Sequence, residues 1–359
     1  MKVKLVIIII AIVVVVPIVT VLALDYAFQN TMYVPSLLPV APEELPEEIN
    51  IYETEPEIPY EEPEEPEIVE PEVPEEPFID PGYVLLRMSY SDISRGSLIL
   101  INHEHAFVFP DEGQSDVMSI FDYITDSLGV TTEHTRLSAS IIDPLNNMME
   151  AFYEETGVSN IVIRSAYRSL ADQRHIFDQT VRRWGRTGAL AWAKPPGHSE
   201  HHSGLAFDFG RRVGGQIEMF SGTGNLAWMP RNSHNFGFIL RYPNNRTAIT
   251  GTNFEPWHYR YVGIPHASIM RQNNWVLEEY LERIRNYTVD EPLLFTFNDI
   301  EYEIYFTTEL EIRLPYDIGF NISGNNIDGF IVTIWRGLTE ACMIDCFEVD
   351  EEQSSGYSS

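Results

Sequence analysis

Between Lys194 and Asp208 the chain reads Lys-Pro-Pro-Gly-His-Ser-Glu-His-His-Ser-Gly-Leu-Ala-Phe-Asp, which places three histidines and two carboxylates in one Gly/Pro-bounded segment. Imidazole and carboxylate are ligands for a divalent transition metal, so the composition is that of a metal site. Spacing narrows which residues can share an ion. On an unbroken helix His201 and Asp208 would stand about 10 Å apart along the axis, against ligand bonds near 2 Å. In an unbroken strand their odd separation would put them on opposite faces. The chain must therefore bend between them, and Gly204 is the residue that bends at least steric cost. Leu205-Ala206-Phe207 then reads as a short buried strand ending at Asp208.

A catalytic site needs a third ligand. Glu255-Pro256-Trp257-His258 offers a histidine and a carboxylate three residues apart. His258 completes a His/Asp/His set, a fourth position is left for water, and Glu255 can take the water's proton as general base. This is the equipment of metal-assisted hydrolysis. A histidine by itself is more often packed or at the surface, which is the reading for His103, His105, His134, His175, His234 and His266. His201, Asp208 and His258 taken together reverse that expectation.

These residues also carry a resemblance. Ser199-x-His201-x-x-Gly204-x-Ala206-x-Asp208 followed by Glu255-x-Trp257-His258 resembles the signature of VanY-like D-alanyl-D-alanine carboxypeptidases, within the zinc peptidases that include lysostaphin-type enzymes and hedgehog domains. Ser165-Ala166-Tyr167-Arg168-Ser169 with Gln173, and Asn232 through Phe236-Gly237-Phe238-Ile239-Leu240-Arg241-Tyr242-Pro243, resemble two further blocks of that family in its order. The match runs over roughly Leu98 to Glu282. Two departures stand out: His202-Ser203 replaces a frequent Gln-Thr, and a polar run, Arg182 to Thr187, separates the first two blocks. The first bears on the pocket rim and the second on the cover of the cleft. The resemblance implies one zinc ion per chain on His201, Asp208 and His258, with Glu255 activating water. It implies Arg168 beside a substrate carboxylate or developing oxyanion, Gln173 and Ser199 as further substrate contacts, and stem peptides ending in D-Ala-D-Ala as substrate. An L,D-carboxypeptidase, a peptidoglycan endopeptidase and a non-catalytic wall-binding module stay open as alternatives.

The elements that must position these groups follow in chain order. Lys2 and Lys4 precede an apolar run from Leu5 to Leu24, about long enough to cross a bilayer core of about 30 Å. Residues 1–24 read as a transmembrane signal anchor with the rest of the chain exported, and secretion after signal cleavage is the alternative. Residues 41 to 80 hold 16 Glu and 1 Asp with no Lys or Arg, more than half of the chain's net charge of -31. Their Glu-Pro repeats repel one another and bury little, so 25–82 reads as a disordered stalk. The expected catalytic domain, 83–286, is α+β: a small antiparallel sheet flanked by helices. Its predicted elements are a strand at Gly96–Asn102, a helix from Ile141 to Tyr153 starting near Asp143, a strand at Ile161–Arg164, a helix begun by Ser169 or Asp172, and a helix over Pro265–Arg285.

Alternation in Leu294-Phe295-Thr296-Phe297 and Tyr302 to Phe306, a turn at Ser323–Asn326 and a strand from Ile327 predict a small β-rich appendage over 287–349, followed by a disordered tail, 350–359. An exported Cys342 and Cys346 are free to pair. Gly214-Gly215 and Gly222-x-Gly224 lack the strand-loop-helix order of a phosphate cradle. A net charge of -31 without a basic stripe argues against nucleic-acid binding.

Overall fold

The structure, a computed structural model, describes residues 82–336 apart from 112, 191 and 317. The expected membrane anchor, the stalk, the Cys342/Cys346 pair and the tail lie outside the described residues. Among the described residues no helix is long and apolar enough to cross a membrane.

In chain order the strands and longer helices are β1 (Tyr83–Arg87), β2 (Val117–Ser119), β3 (Gly129–Val130), β4 (Arg136–Ser138), α1 (Ile142–Thr156), β5 (Ile161–Ser165), α2 (Leu170–Leu190), β6 (Ala206–Val213), β7 (Gln216–Met219), β8 (Phe238–Leu240), β9 (His258–Tyr261), α3 (His266–Asn273) and α4 (Leu277–Ile284). β10 (Leu293–Phe297), β11 (Ile300–Thr307), β12 (Glu311–Pro315), β13 (Gly319–Gly324) and β14 (Phe330–Arg336) follow. The architecture is mixed α and β, as expected.

The central sheet runs β3-β5-β6-β9-β8, with β7 paired to β6. All its pairs are antiparallel except β3 with β5, so the sheet is mixed and not wholly antiparallel. α1 lays Ile142, Leu145, Met148, Met149 and Phe152 on one face against Phe207, Phe209 and Tyr259 of the sheet. It stops at Gly157, whose left-handed conformation lets its N–H close on the Tyr153 carbonyl at 2.8 Å. α2 opens with a reciprocal cap: Asp172 N–H donates to Ser169 Oγ at 3.1 Å and Ser169 N–H to Asp172 Oδ2 at 3.2 Å. The Arg182–Thr187 run lies inside α2, which kinks at Gly185.

Three expectations change. Gly96–Asn102 is not a strand. Leu98, Leu100 and Ile101 are buried, but the backbone there is satisfied from outside any ladder: Leu98 N–H donates to Ser323 Oγ and Leu100 N–H to the Asn325 carbonyl. A short apolar run signals burial without specifying the partner of its backbone. The strand after Gly204 continues past Asp208 to Val213. The single helix predicted over Pro265–Arg285 is two, α3 and α4, divided at Asn274 in the left-handed region (φ 55°).

The C-terminal sheet, β10-β11-β14-β13, shares a core with α3 and α4: Tyr302, Ile304 and Ile331 pack among Ala267, Ile269, Leu281 and Ile284. β12 pairs with β1, from the opposite end of the described chain.

Candidate metal centre and its cleft

Two local devices bring the predicted ligands together. Gly204 adopts φ +74°, and a Cβ there would lie 2.8 Å from both Ser138 N and Val117 Cγ2, so only glycine makes the bend. β6 leaves that bend and pairs with β9 so that Asp208 stands directly opposite His258. Directly opposed residues of an antiparallel pair share a face. His201 comes from the 3₁₀ turn Glu200–Ser203 that precedes the bend.

The donor atoms of His201, Asp208 and His258 lie within 4.8 Å of one another, and all three residues are buried. Asp208 Oδ1 is 2.9 Å from His258 Nδ1 and 3.5 Å from His201 Nε2. The outer nitrogens are engaged elsewhere. His201 Nδ1 donates to the Ala166 carbonyl at 2.8 Å, which leaves its Nε2 lone pair facing the cluster. His258 Nε2 meets Glu200 Oε2 at 3.2 Å. Burial and Arg168 lower the His201 pKa to about 4, so the ring is neutral. Burial alone would raise Asp208, but His201 and His258 hold it well below the usual carboxylate range. Burial alone would lower His258, but hydrogen bonds to Asp208 and Glu200 raise it to about 9: two carboxylates call for positive charge at this spot.

Glu200 is a residue that reasoning from sequence passed over. Its Oε1 accepts from Arg241 Nε at 2.8 Å and from Arg260 Nη1 at 3.0 Å. Arg241 in turn forms a two-pronged pair with Glu278 at 2.9 and 2.7 Å, and Arg260 Nη2 reaches the Ser97 and Ile99 carbonyls. Both arginines are 0% exposed, so these charges are fully internal to the fold. Against the cost of burial, the arginines keep Glu200 well below its usual pKa. The one signal in the sequence was an acid inside the motif with arginines in each later block.

A cleft of about 550 Å³ opens on the cluster, lined by Arg168, Lys194, Ser199, His201, Asp208, Tyr242, Glu255 and His258 among others. Burial, only partly offset by His258, lifts Glu255 to about 7. Arg168 Nη1 donates to Gln173 Oε1 at 2.7 Å, Nη2 stands 3.8 Å from Asp208 Oδ2, and its buried Nε has no partner. Gln173 is fully buried and uses its other end on the Lys194 carbonyl at 2.6 Å, so it acts on the cleft through Arg168. Ser199 lines the cleft beside His201. His202 faces away from the cluster. Its Nδ1 donates to the Arg168 carbonyl at 2.7 Å and its Nε2 accepts from Gly197 N–H at 3.1 Å. A larger groove, about 730 Å³, lies behind that histidine and contains none of the three clustered ligands.

The donor set fits zinc: two imidazole nitrogens and one carboxylate oxygen, each oriented by a further hydrogen bond or register, with a titratable carboxylate in the same cleft.

Comparison with known proteins gives the family. The family profile "VanY: D-alanyl-D-alanine carboxypeptidase" matches residues 134–264. A D-alanyl-D-alanine carboxypeptidase of Enterococcus faecium is 34% identical over 252 residues, which is 69% of this chain and 78% of the relative. The bifunctional D-Ala-D-Ala dipeptidase and carboxypeptidase VanXYC of Enterococcus gallinarum is 34% identical over 136 residues, 36% of this chain and 72% of the relative. Among solved structures, the D,D-dipeptidase VanXYg, crystallised with a D-Ala-D-Ala phosphinate analogue, superposes with a TM-score of 0.62 at 31% identity, covering 71% of this chain and 99% of that one. With fold, motif order and nearly four-fifths of a relative's length in agreement, the chain belongs to the VanY family of D-alanyl-D-alanine carboxypeptidases and is a peptidase.

Proposed function

We propose that this peptidase removes the terminal D-alanine from peptidoglycan stem peptides ending in D-Ala-D-Ala, using one zinc ion held by His201, Asp208 and His258, at the outer face of the membrane. The observation that carries this reading is the convergence of those three buried donors with Glu255 in one cleft. Zinc would supply Lewis-acid polarisation of the scissile carbonyl and a lowered pKa for water.

The chain's own residues do the rest. Glu255, with a pKa raised to about 7, is matched to accept a proton from attacking water and return it to the leaving amine. Arg168, oriented by Gln173 and carrying an unpartnered Nε–H, meets the negative charge that develops on the carbonyl oxygen. Ser199 offers a hydroxyl to the peptide beside His201. The Glu200–Arg241–Arg260 lattice fixes the His258 ring so that Nδ1 points inward.

The test is D-alanine release by the full chain from matched pentapeptide and tetrapeptide stems, with zinc and after chelation, and with Glu255→Ala as control. Zinc-dependent release from the pentapeptide that the substitution abolishes is the expected result. Release only from the tetrapeptide would reassign the chain as an L,D-carboxypeptidase, and metal binding with neither product would overturn the carboxypeptidase reading. The outer-face location draws on Lys2, Lys4 and the apolar run Leu5–Leu24. Protease accessibility of the catalytic part in intact cells, with the protein retained in the membrane fraction, is the expected outcome; recovery of the protein from the medium would show secretion instead.

A further inference from the structure

Lys194 opens the metal-binding segment and lines the same cleft as the clustered ligands and Glu255. It is only 9% exposed. A buried ammonium is costly unless an anion answers it. Yet among the described residues no carboxylate forms an ion pair with it: Glu200 pairs with Arg241 and Arg260, Glu278 pairs with Arg241, and Glu255, which shares the cleft and favours the charged lysine, acts on it only from beyond contact. Its close contacts are a neutral one and an aromatic one, His103 Nε2 at 2.9 Å and the Tyr242 ring centroid at 5.7 Å. Burial and the nearby Arg241 pull its pKa down to about 8 against the opposing pull of Glu255, so the side chain is mostly charged at neutral pH with no carboxylate in contact.

The support behind Lys194 is built. An ammonium can only donate, so His103 meets it as an acceptor, with its proton on Nδ1. His103 Nε2 is then not a donor to the Gly251 carbonyl 3.1 Å away, and burial and Lys194 both lower its pKa, in keeping with a neutral ring. The ring rests on Gly251, where an added Cβ would come 2.7 Å from His103 Cδ2. The loop carrying His103 is held by Asn326, whose Nδ2 donates to the Leu100 and Ala106 carbonyls at 2.8 Å each. A side chain fixed this carefully in a cleft wall, with no anion in contact, is a receptor for one.

We infer that Lys194, propped by His103, is a second anion-binding point of the cleft, beside Arg168, and takes a carboxylate of the peptide substrate. The inference rests on the carboxypeptidase reading above. The carboxylate is either the C-terminal one or one carried by a side chain further along the peptide.

The experiment uses the full zinc-loaded chain, its Lys194→Met and Lys194→Arg variants, and two stem peptides ending in D-Ala-D-Ala: one with no other carboxylate, and the same stem with one additional side-chain carboxylate. Losing one charge-assisted hydrogen bond should raise KM for Lys194→Met roughly tenfold to a hundredfold. kcat should fall by less than KM rises, the lost ammonium also changing the field at Glu255, and Lys194→Arg should recover part of the loss. An equal rise on both stems assigns the site to the C-terminal carboxylate. A rise confined to the second stem assigns it to the side-chain carboxylate. KM within twofold of wild type on both stems, while wild type cleaves them, overturns the inference alone. No release by wild type overturns the carboxypeptidase reading and this inference with it. If Lys194→Met melts early, His103→Leu carries the same test, with the same direction and a smaller rise in KM.

Discussion

The two sides of the cleft treat charge in opposite ways. Behind the cluster, Glu200, Arg241, Arg260 and Glu278 form a closed lattice in which each carboxylate and guanidinium has a partner at 2.7 to 3.0 Å. On the substrate side, Arg168 keeps an unpartnered Nε and Lys194 has no close anion. Paired charges hold a ring in place, whereas unpaired ones wait for a ligand. The difference separates residues that build the site from residues that use it.

Substitutions on each side put that contrast to the test. Glu255→Ala, on the using side, should lower kcat on the order of 10²–10⁴-fold while leaving zinc content and melting temperature near wild type; a parallel loss of metal would make Glu255 part of the building side. Glu200→Ala, on the building side, should cost about 3–5 kcal/mol of stability, since two buried arginines lose a partner. It should also weaken zinc binding about 10–100-fold. Chemical denaturation and competitive chelation read the two effects, and an unchanged midpoint would dissolve the contrast.

His202 tests how rigidly the sides are joined. A glutamine can both donate to the Arg168 carbonyl and accept from Gly197 N–H, which an alanine cannot do. His202→Ala should therefore cost about 1–3 kcal/mol in kcat/KM, and His202→Gln should restore most of it. Equal losses in both would mean that ring packing against Phe107 and Phe109, and not the two hydrogen bonds, is what matters.

The smallest expected effect lies away from the cleft. His266 is buried between Tyr280 Oη at 2.6 Å and Thr333 Oγ1 at 3.1 Å, and burial lowers its pKa to about 3. Unfolded, its pKa is about 6.5, so between these values the unfolded chain binds the extra proton. Its share of stability is present above about pH 6.5 and is lost as pH falls towards 3, by up to about 1.4 kcal/mol per pH unit. His266→Gln should flatten the fall in unfolding free energy between pH 6.5 and 5, and an unchanged slope would place the proton uptake elsewhere.

What could be read from sequence was what local pattern carries. His201, Asp208 and His258 were legible because their spacing demands a bend and Gly204 supplies it. Glu255 was legible from its distance to His258. α1 and β5 followed from apolar periodicity and a glycine stop. The rest depends on contacts between distant parts of the chain. Glu200 pairs with arginines 41 and 60 residues away, and no local pattern marks that. Lys194 stood at the edge of the motif, but its importance appears only with His103, 91 residues earlier. The strand expected at Gly96–Asn102 failed for the same reason: burial was legible, while the β13–β14 turn that satisfies its backbone was not.

Asn326 has a consequence for anyone recombining these enzymes. Its one amide holds the loop that carries His103, and the sheet it belongs to covers Leu281 and Ile284. A graft that exchanged residues beyond about position 286 with those of a relative would thus loosen the His103 loop and uncover the apolar face of α4 at once. Swaps meant to change one property at a time have to leave β13 and β14 with the loop they grip, and draw their borders before Tyr83 and after Arg336.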